Sequence, residues 1–468
     1  MKVYDAAAIR NVALVGHSGS GKTQLASALL FDAGAVNRFG KVDEGTTVTD
    51  HDEEEIARKH TLSASLAAAE WSKTKINLID TPGMGNFLSD ARAALRVVEC
   101  ALVVVDAVSG VEVSTEKVWA AADEIELPRL IVINRLDRDR ASVERALESI
   151  RERFGRGAVA IQLPIGEEKH FKGVVDLVAM KSYTYEADGS GKVTESGVPG
   201  ALVDAASAAR ESLIEMVAEA DDQLLAKFFE AGTLTQEELL EGLHRGVRGG
   251  TIYPVVCTSG LMNIGIQPLL DAIVHYVPAP TEHPMRGVKP GPGNDLDAVE
   301  REAVPTGPAV AYVWKTIADQ FAGRITLFRV ITGTLKSDAN VHNVTRDAQE
   351  RLGHLLLVQG KAQTHVAEIH AGDLGAVAKL KDTQTGDTIG DKGAGFVMRP
   401  VAFPEPVISY AMEPKTRGDE DKISTSMHRL QEEDPSIGYS RDPQTHELLL
   451  SGQGQLHIEV TVAKLKKR

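Results

Sequence analysis

Residues 16–23 constrain the possible fold of this chain more than any other stretch. They read Gly-His-Ser-Gly-Ser-Gly-Lys-Thr, after a short apolar segment (residues 11–15) and before a helical pattern (residues 24–31). This is the phosphate-loop pattern, because its glycines let backbone N–H groups curl inward and the following helix directs its positive end at the same place. The stretch therefore predicts a strand, a phosphate-binding loop and a helix. A glycine-rich turn without a ligand is the alternative.

The residues of this loop are candidate nucleotide contacts. The pattern places Lys22 to neutralise the outer phosphates, which makes it a candidate catalytic group, and makes the Thr23 hydroxyl a candidate magnesium ligand. The predicted contacts in the loop and at the start of its helix are Gly16, His17, Ser18, Gly19, Ser20, Gly21, Lys22, Thr23 and Gln24.

A polar segment, residues 41–59, follows the first helix. The acidic run at residues 52–55 is typical of a solvated face. Nucleoside triphosphatases place a loop that orders around the terminal phosphate at this point after a phosphate loop. Thr61, just before the next apolar segment, is therefore a candidate magnesium ligand and catalytic residue.

A turn with the sequence Asp-Thr-Pro-Gly (residues 80–83) ends the next apolar segment. An aspartate at a strand end suits magnesium binding through water, so Asp80 is a third candidate metal ligand. The Gly83 N–H is placed to sense the terminal phosphate, which makes Gly83 a candidate catalytic residue. A plain strand-ending turn is the alternative.

Residues 134–137 read Asn-Arg-Leu-Asp after an apolar segment and are similar to the guanine-specificity motif Asn-Lys-x-Asp. Asp137 can accept hydrogen bonds from guanine N1 and the exocyclic amine, which adenine cannot supply together. Asn134 would bridge this loop to the phosphate loop. The flat guanidinium of Arg135, in place of the usual lysine, could lie along the base. Taken alone, the four residues also suit a surface loop.

The loop Thr-Ser-Gly-Leu at residues 258–261 completes the predicted base site. It follows an apolar segment at residues 253–257 and offers Ser259, Gly260 and Leu261 for backbone contact with guanine O6. An ATP-dependent kinase or transporter ATPase is a further alternative, which the Asn-Arg-Leu-Asp motif disfavours.

The order of the remaining segments predicts several domains in 468 residues. The predicted fold class is α/β: a phosphate-loop GTPase domain (residues 1–280) with a helical and β insert (about residues 166–249). A proline- and glycine-rich linker (residues 281–306) leads to a β-barrel (residues 307–402). Residues 403–468 predict a ferredoxin-like α+β unit that is one strand short.

Composition limits the partners and the compartment. The net charge of −15 argues against a non-specific DNA coat, although one local basic face would suffice for ribosomal RNA. Cys100 and Cys257 lie in apolar segments and are expected to be free buried thiols. No apolar run is long enough to span a bilayer, so we expect a cytoplasmic protein without a membrane partner.

The chain resembles the elongation factor G family of translational GTPases over its whole length. The resemblance includes the insert between the guanine motifs, Gly-Arg-Ile at residues 323–325, Thr-Gly-Thr-Leu at 332–335, Phe-Pro-Glu-Pro-Val-Ile-Ser at 403–409, Glu-Pro-Lys at 413–415, Glu-Glu-Asp-Pro at 432–435 and Gly-Gln-Leu-His at 454–457. It implies GTP or GDP with Mg²⁺ as cofactors, a monomer, and docking on ribosomal RNA and proteins to couple hydrolysis to movement of messenger and transfer RNAs.

Three departures from the family pattern qualify that expectation. Gly19 and Ser20 replace Asp-Ala in the phosphate loop. Met84 stands where the family places a histidine that orients the attacking water, and a thioether is a poor substitute for imidazole. His17 and His60 are weak candidates to replace it. The family's fourth and fifth domains are absent, so the chain as written is expected not to translocate.

Two functional hypotheses follow from these residues. The first is a GTP-binding elongation factor G-like protein whose hydrolysis is slowed or differently catalysed because of Met84. The second is a regulatory GTP switch that binds the ribosome and acts by occupancy, with little hydrolysis. Hydrolysis measured with and without ribosomes separates them.

Overall fold

The computed structural model describes residues 2–291, 298–319, 323–414, 416 and 419–467. Lys415 and residues 292–297, which belong to a predicted motif and to the predicted linker, lie outside that part of the chain. A seven-stranded sheet forms the centre of the first domain. Its strands lie in the order Ser65–Trp71, Thr74–Asp80, Ile9–Val15, Cys100–Asp106, Arg129–Asn134, Tyr253–Cys257 and Ala158–Ala160.

All neighbours in this sheet are parallel except Ser65–Trp71, which pairs antiparallel with Thr74–Asp80. Cys100–Asp106 is buried along its whole length, as expected of a parallel strand covered on both faces. Leu14 pairs with Asp80 and Asp106 with Asn134. The carboxyl ends of these strands, where the predicted motifs begin, therefore lie along one edge of the sheet.

Helices cover both faces of the sheet. The apolar sides of Leu88–Leu95, Val113–Asp123 and Val143–Phe154 share one core with the sheet, and those of Lys22–Asp32 and Ile266–Tyr276 share the other. A short helix, Glu53–Arg58, lies in the polar segment. The predicted α/β architecture is thus present.

The insert contains a four-stranded antiparallel sheet and three helices. The strands are Gln162–Ile165, Gly173–Asp176, Lys181–Tyr185 and Val193–Gly197, and the helices are Val203–Glu219, Asp222–Ala231 and Gln236–Arg248. The helical pattern over residues 205–231 contains two helices rather than one. Asp221 interrupts it, because its side chain accepts from the N–H groups of Gln223 (2.9 Å) and Leu224 (3.0 Å) and so begins a new helix.

The region predicted to be a linker is partly ordered into a hairpin. Met285–Val288 pairs antiparallel with Ala298–Arg301, and Val288 also bridges Val397. Composition alone suggested an open chain over residues 281–306, but cross-strand hydrogen bonds pair the backbones of residues 285–288 and 298–301.

The second domain is all β, as predicted. Its main sheet has the order Ala348–Arg351, Asn340–Asn343, Thr388–Gly390, Val310–Asp319, Gly323–Thr332, Leu374–Ala378, Leu355–Gln359 and Ala362–Val366, and Thr334–Lys336 pairs separately with Glu368–His370. These pairs are antiparallel, and Val313, Phe328 and Ile389 lie in one shared apolar core.

The third domain follows the predicted strand, helix, strand, strand, helix order. Its sheet has the order Ile408–Met412, Leu448–Gly452 and Gly438–Arg441, and its helices are Asp419–Glu433 and Gln455–Lys467. Met427, Leu450 and Ile458 form the core between the sheet and both helices.

A buried polar network joins the first and second domains. Arg329 forms an ion pair with Glu99, and both side chains are almost wholly buried. Asn11 donates to the same carboxylate at 2.8 Å, and Lys75 contacts Asp373 of the second domain at 2.7 Å. These charges lie in the interface itself, with protein groups in place of water around them.

Candidate functional site

The phosphate loop adopts a backbone that only glycine accepts at three positions. Gly16, Gly19 and Gly21 have φ of 138°, 88° and 86°. A Cβ at Gly16 would lie 2.3 Å from the Val104 carbonyl oxygen, and one at Gly21 would lie 2.6 Å from Asn134 Nδ2. The loop is therefore packed between two strand ends of the central sheet.

Lys22 lies buried at the centre of this loop. Its Nζ donates to the carbonyl oxygens of Gly16 (3.0 Å) and His17 (2.9 Å). Burial lowers the pKa of Lys22 to about 8, against the attraction of Asp80 and Asp50. A phosphate anion would restore the charged form, which is the chemistry predicted for this lysine.

The three predicted magnesium ligands lie together beside Lys22. Thr23 Oγ1 is 2.6 Å from Thr61 Oγ1. Asp80 is fully buried, accepts a hydrogen bond from Thr49 Oγ1 at 2.8 Å, and interacts with Thr23 and Lys22. The structure thus brings the candidates from three separate motifs to one place.

Asp50 also belongs to this cluster, and sequence reasoning did not single it out. It accepts from Thr61 Oγ1 at 2.8 Å. Burial, with the repulsion of Asp80, raises the pKa of Asp50 to about 8. Asp50 lies in the sequence between the threonines of the polar segment and the acidic run, and this position could have suggested it as a site residue. The sequence could not show which carboxylate of this region faces the interior.

The donor set fits Mg²⁺. Asp80 Oδ1 is buried and has no hydrogen-bond partner in the described part of the chain, and buried carboxylates are normally paired or coordinate a cation. Hydroxyl and carboxylate oxygens are the ligands that Mg²⁺ prefers. Thr23, Thr61 and Asp80 are the residues that would hold it, and Asp50 is near enough to join them.

Gly83 makes a close approach to the loop. A Cβ there would lie 2.3 Å from Lys22 Nζ and 2.6 Å from Ser18 N. Glycine lets the Asp-Thr-Pro-Gly turn reach the phosphate loop, as its predicted role requires.

Met84 is turned into an apolar cluster between the first and third domains. It packs against a cluster of Leu62 and Phe87 of the first domain and Val460 of the last helix, and Leu456 packs against the same cluster. In this arrangement its thioether serves as an apolar contact between domains.

The two histidines considered as replacements are placed differently from a water-orienting group. His17 is buried and its ring contacts Thr115 Oγ1 (3.2 Å) and Ser109 Oγ (3.4 Å). Desolvation lowers the pKa of His17, although Glu112 opposes the shift. His60 is exposed on the surface.

Gln24 holds the start of the polar segment. Its amide donates to the Gly40 carbonyl oxygen (3.1 Å) and accepts from the Val42 N–H (3.2 Å). Its side chain therefore contacts the protein backbone beside the predicted nucleotide site.

Asn134 joins the base-reading loops to the phosphate loop. Its Nδ2 donates to the Ser20 carbonyl oxygen at 2.9 Å. Its Oδ1 accepts from Thr258 Oγ1 at 3.1 Å and from the Gly260 N–H at 2.9 Å. This is the bridge that the sequence predicts for Asn134.

Asp137 is held beside the same loop. Ser259 Oγ donates to Asp137 Oδ1 at 2.5 Å and accepts from the Met262 N–H at 3.1 Å. Gly260 packs against the phosphate-loop helix, since a Cβ there would lie 3.0 Å from Leu25 Cα, and Leu261 is half exposed. The carboxylate and the predicted O6 contacts therefore come from adjoining loops.

Arg135 lies across the phosphate loop. Its guanidinium donates to the Gly19 carbonyl oxygen and contacts Asp106 Oδ2 at 3.2 Å. A Cβ at Gly19 would lie 3.8 Å from the nearest guanidinium nitrogen, which is an ordinary contact, so the φ of 88° and not the space for Arg135 requires glycine here. Arginine in place of lysine thus keeps a hydrogen bond to the loop.

The fold and the clustered motifs define a guanine-nucleotide-binding phosphate-loop protein. Residues 7–279 match the family described as the elongation factor Tu GTP binding domain, residues 308–392 match elongation factor G domain 2, and residues 403–468 match elongation factor G domain III. The chain belongs to the elongation factor G family of translational GTPases.

A solved structure extends this comparison. The chain is 34% identical to a protein from Thermus thermophilus, with a TM-score of 0.86. The match covers 98% of this chain and 66% of that one, so the chain spans a little under two thirds of its solved relative. No described helix combines the length and apolarity needed to cross a membrane.

Proposed function

We propose that this chain binds GTP and Mg²⁺ and acts as a ribosome-associated GTPase whose hydrolysis is slow. The observation that carries the proposal is the convergence of three groups at one edge of the sheet. These are the Lys22 loop, the Thr23–Thr61–Asp80 cluster, and the Asn134, Asp137 and Ser259 contacts.

Each group has a distinct part in binding. The loop amides and Lys22 bind the phosphates, while the magnesium ligands hold the ion that neutralises charge on the outer phosphates. Asp137 selects guanine, Asn134 holds the base loop against the phosphate loop, and the backbone of residues 259–261 contacts O6. The Gly83 N–H binds the terminal phosphate and so distinguishes GTP from GDP.

Met84 is the reason for slow hydrolysis. Water must be oriented by a group that accepts a hydrogen bond well, and a thioether is a weak acceptor. The contacts of Met84 with Leu62, Phe87 and Val460 favour a packing role instead.

We propose that the chain binds the ribosome, is cytoplasmic and is a monomer, and its family membership supports this. We propose the three-domain division predicted above, with the first 280 residues as the nucleotide-binding domain. The negative net charge requires that contact with ribosomal RNA use local basic surfaces.

The test compares GTP hydrolysis by the parent and Met84→His, each with and without ribosomes. Met216→His is a matched control, because Met216 is a half-buried methionine in the insert. We expect slow turnover by the parent and by the control, and faster ribosome-stimulated turnover by Met84→His. Equal, rapid turnover by all three proteins would refute the role given to Met84.

A regulatory switch acting by occupancy is the second candidate. It is favoured by contacts between the polar segment and the third domain: Lys467 lies 2.8 Å from Glu54 and 3.0 Å from Glu53, and Lys464 lies 3.6 Å from Asp52. Nucleotide-dependent order in this segment would alter the third domain's docking. Ribosome binding that GTP strengthens, without stimulated hydrolysis in any variant, would favour this candidate.

A further inference from the structure

One carboxylate of the acidic run faces the protein interior. Glu55 is 3% exposed, whereas Asp52, Glu53 and Glu54 of the same run reach solvent. A charged side chain is almost never buried without partners. The hydrogen-bond partners of Glu55 therefore indicate which part of the chain its carboxylate holds in place.

Glu55 ties the two ends of a short stretch of chain together. Its Oε1 accepts from the N–H groups of Leu62 (3.0 Å) and Ser63 (3.1 Å). Its Oε2 accepts from the Asp52 N–H at 3.2 Å, which completes a capping box on helix Glu53–Arg58. The carboxylate thus joins the start of this helix to the residues directly after Thr61.

The residues held in this way have no regular structure of their own. Residues 61–64 lie between helix Glu53–Arg58 and strand Ser65–Trp71, outside any helix or strand. The hydroxyl of Thr61 nevertheless meets Thr23 at 2.6 Å and Asp50 at 2.8 Å. Side-chain acceptors must therefore fix this backbone, and Glu55 binds the two amides closest to Thr61 on its C-terminal side.

We propose that Glu55 is a positioning residue for Thr61, and that it favours the triphosphate over the diphosphate. This inference rests on the proposed function, in which Thr61 binds the metal beside the terminal phosphate. Glu55 acts through the backbone of Leu62 and Ser63 and remains outside the nucleotide site. Loss of its carboxylate should free Thr61 and weaken GTP binding while leaving contacts to the base and inner phosphates intact.

Three variants at two positions of helix Glu53–Arg58 test the proposal. Glu55→Ala removes all three hydrogen bonds. Glu55→Gln keeps one oxygen for Leu62 and Ser63 but turns an NH₂ group towards the Asp52 N–H. Glu53→Ala is the control, because Glu53 is an exposed carboxylate on the same helix whose contact is with Lys467.

The measurements are the affinities for GTP and GDP with Mg²⁺, by titration calorimetry of the whole chain. We expect Glu55→Ala to bind GTP about tenfold more weakly or worse, Glu55→Gln to be intermediate, and Glu53→Ala to match the parent. GDP affinity should stay unchanged in all of them. Equal losses of GTP and GDP affinity, or no loss, would overturn the proposal.

A double-mutant cycle with Thr61→Ala separates positioning from general stability. If Glu55 acts through Thr61, Glu55→Gln should have no further effect on GTP affinity in the Thr61→Ala protein. An undiminished effect there would contradict the inference, and this comparison decides the matter if Glu55→Ala fails to fold. Failure of the parent to bind GTP would instead refute the proposed function.

Discussion

Asn134→Ala should lower both nucleotide affinity and stability, because its side chain joins the phosphate loop to the loop at residues 258–261. Its amide binds the Ser20 carbonyl oxygen, the Thr258 hydroxyl and the Gly260 N–H at 2.9, 3.1 and 2.9 Å. Asn134 is 1% exposed, so water cannot replace these bonds without opening the loops. The alanine variant leaves two buried backbone groups unpaired.

The size of the effect follows from the number of bonds. Each hydrogen bond contributes about 1 kcal/mol net, so the loss is about 3 kcal/mol in the free energy of unfolding. If GTP binding must supply this whole free energy to order the base-reading loops of the variant, GTP affinity becomes about 100-fold weaker.

A buried asparagine in the second domain provides the matched control. Asn343 is fully buried and also makes three bonds, with Thr383 Oγ1 (3.1 Å), Asp387 Oδ2 (2.9 Å) and the Arg346 N–H (3.0 Å). Asn343→Ala should cost similar stability and leave GTP affinity unchanged. Urea unfolding and calorimetric titration with GTP measure the two quantities.

Two results would refute this reasoning. Asn134→Ala with parental GTP affinity would mean that the bridge between the loops is unnecessary for the base site. Equal losses of GTP affinity in both variants would mean that binding merely follows overall stability.

Three further predictions concern other groups. Gly83→Ala should weaken GTP binding at least about tenfold in a fluorescent-nucleotide titration, since its Cβ would lie 2.3 Å from Lys22 Nζ; unchanged affinity would contradict the close approach. Burial raises the pKa of Asp32 to about 6 from 3.8, so the folded state holds this proton more tightly and stability falls as pH rises from about 4 to about 6. When the free energy of unfolding in urea is measured across this pH range, Asp32→Asn should lack the decrease that Asp32 causes. Parallel pH profiles for the parent and the variant would refute this prediction. Cys100 and Cys257 are buried, and desolvation raises the pKa of both thiols, that of Cys257 to about 12. A thiol reagent should therefore modify them only after the protein unfolds. A thiol that reacts rapidly in the native protein would refute this prediction.

The sequence predicted the architecture and the meeting of the motifs because both follow from local rules. Apolar runs such as residues 100–105 predict strands of a parallel sheet, and motifs at the ends of such strands must meet at one edge. The proximity of Thr23, Thr61 and Asp80 in the structure agrees with this expectation.

Other features depend on contacts between residues far apart in the sequence. The spacing of Asp52 and Glu55 fits a capping box, but the burial of Glu55 depends on the backbone of Leu62 and Ser63 lying beside it. The packing of Met84 requires Val460, which lies in another domain. The helix break at Asp221 was a local capping signal that the sequence did contain.

The ion pair of Glu99 with Arg329 has a mechanical consequence. A small separation of the first two domains, too narrow to admit water, would leave Glu99 and Arg329 unpaired and poorly hydrated, at a cost of several kcal/mol. The third domain meets the first through exposed pairs of Lys467 with Glu53 and Glu54, which are worth little, and through the small apolar cluster around Met84. The Glu99–Arg329 pair should therefore keep the nucleotide-binding domain and its β-rich neighbour in one fixed arrangement when either of them moves.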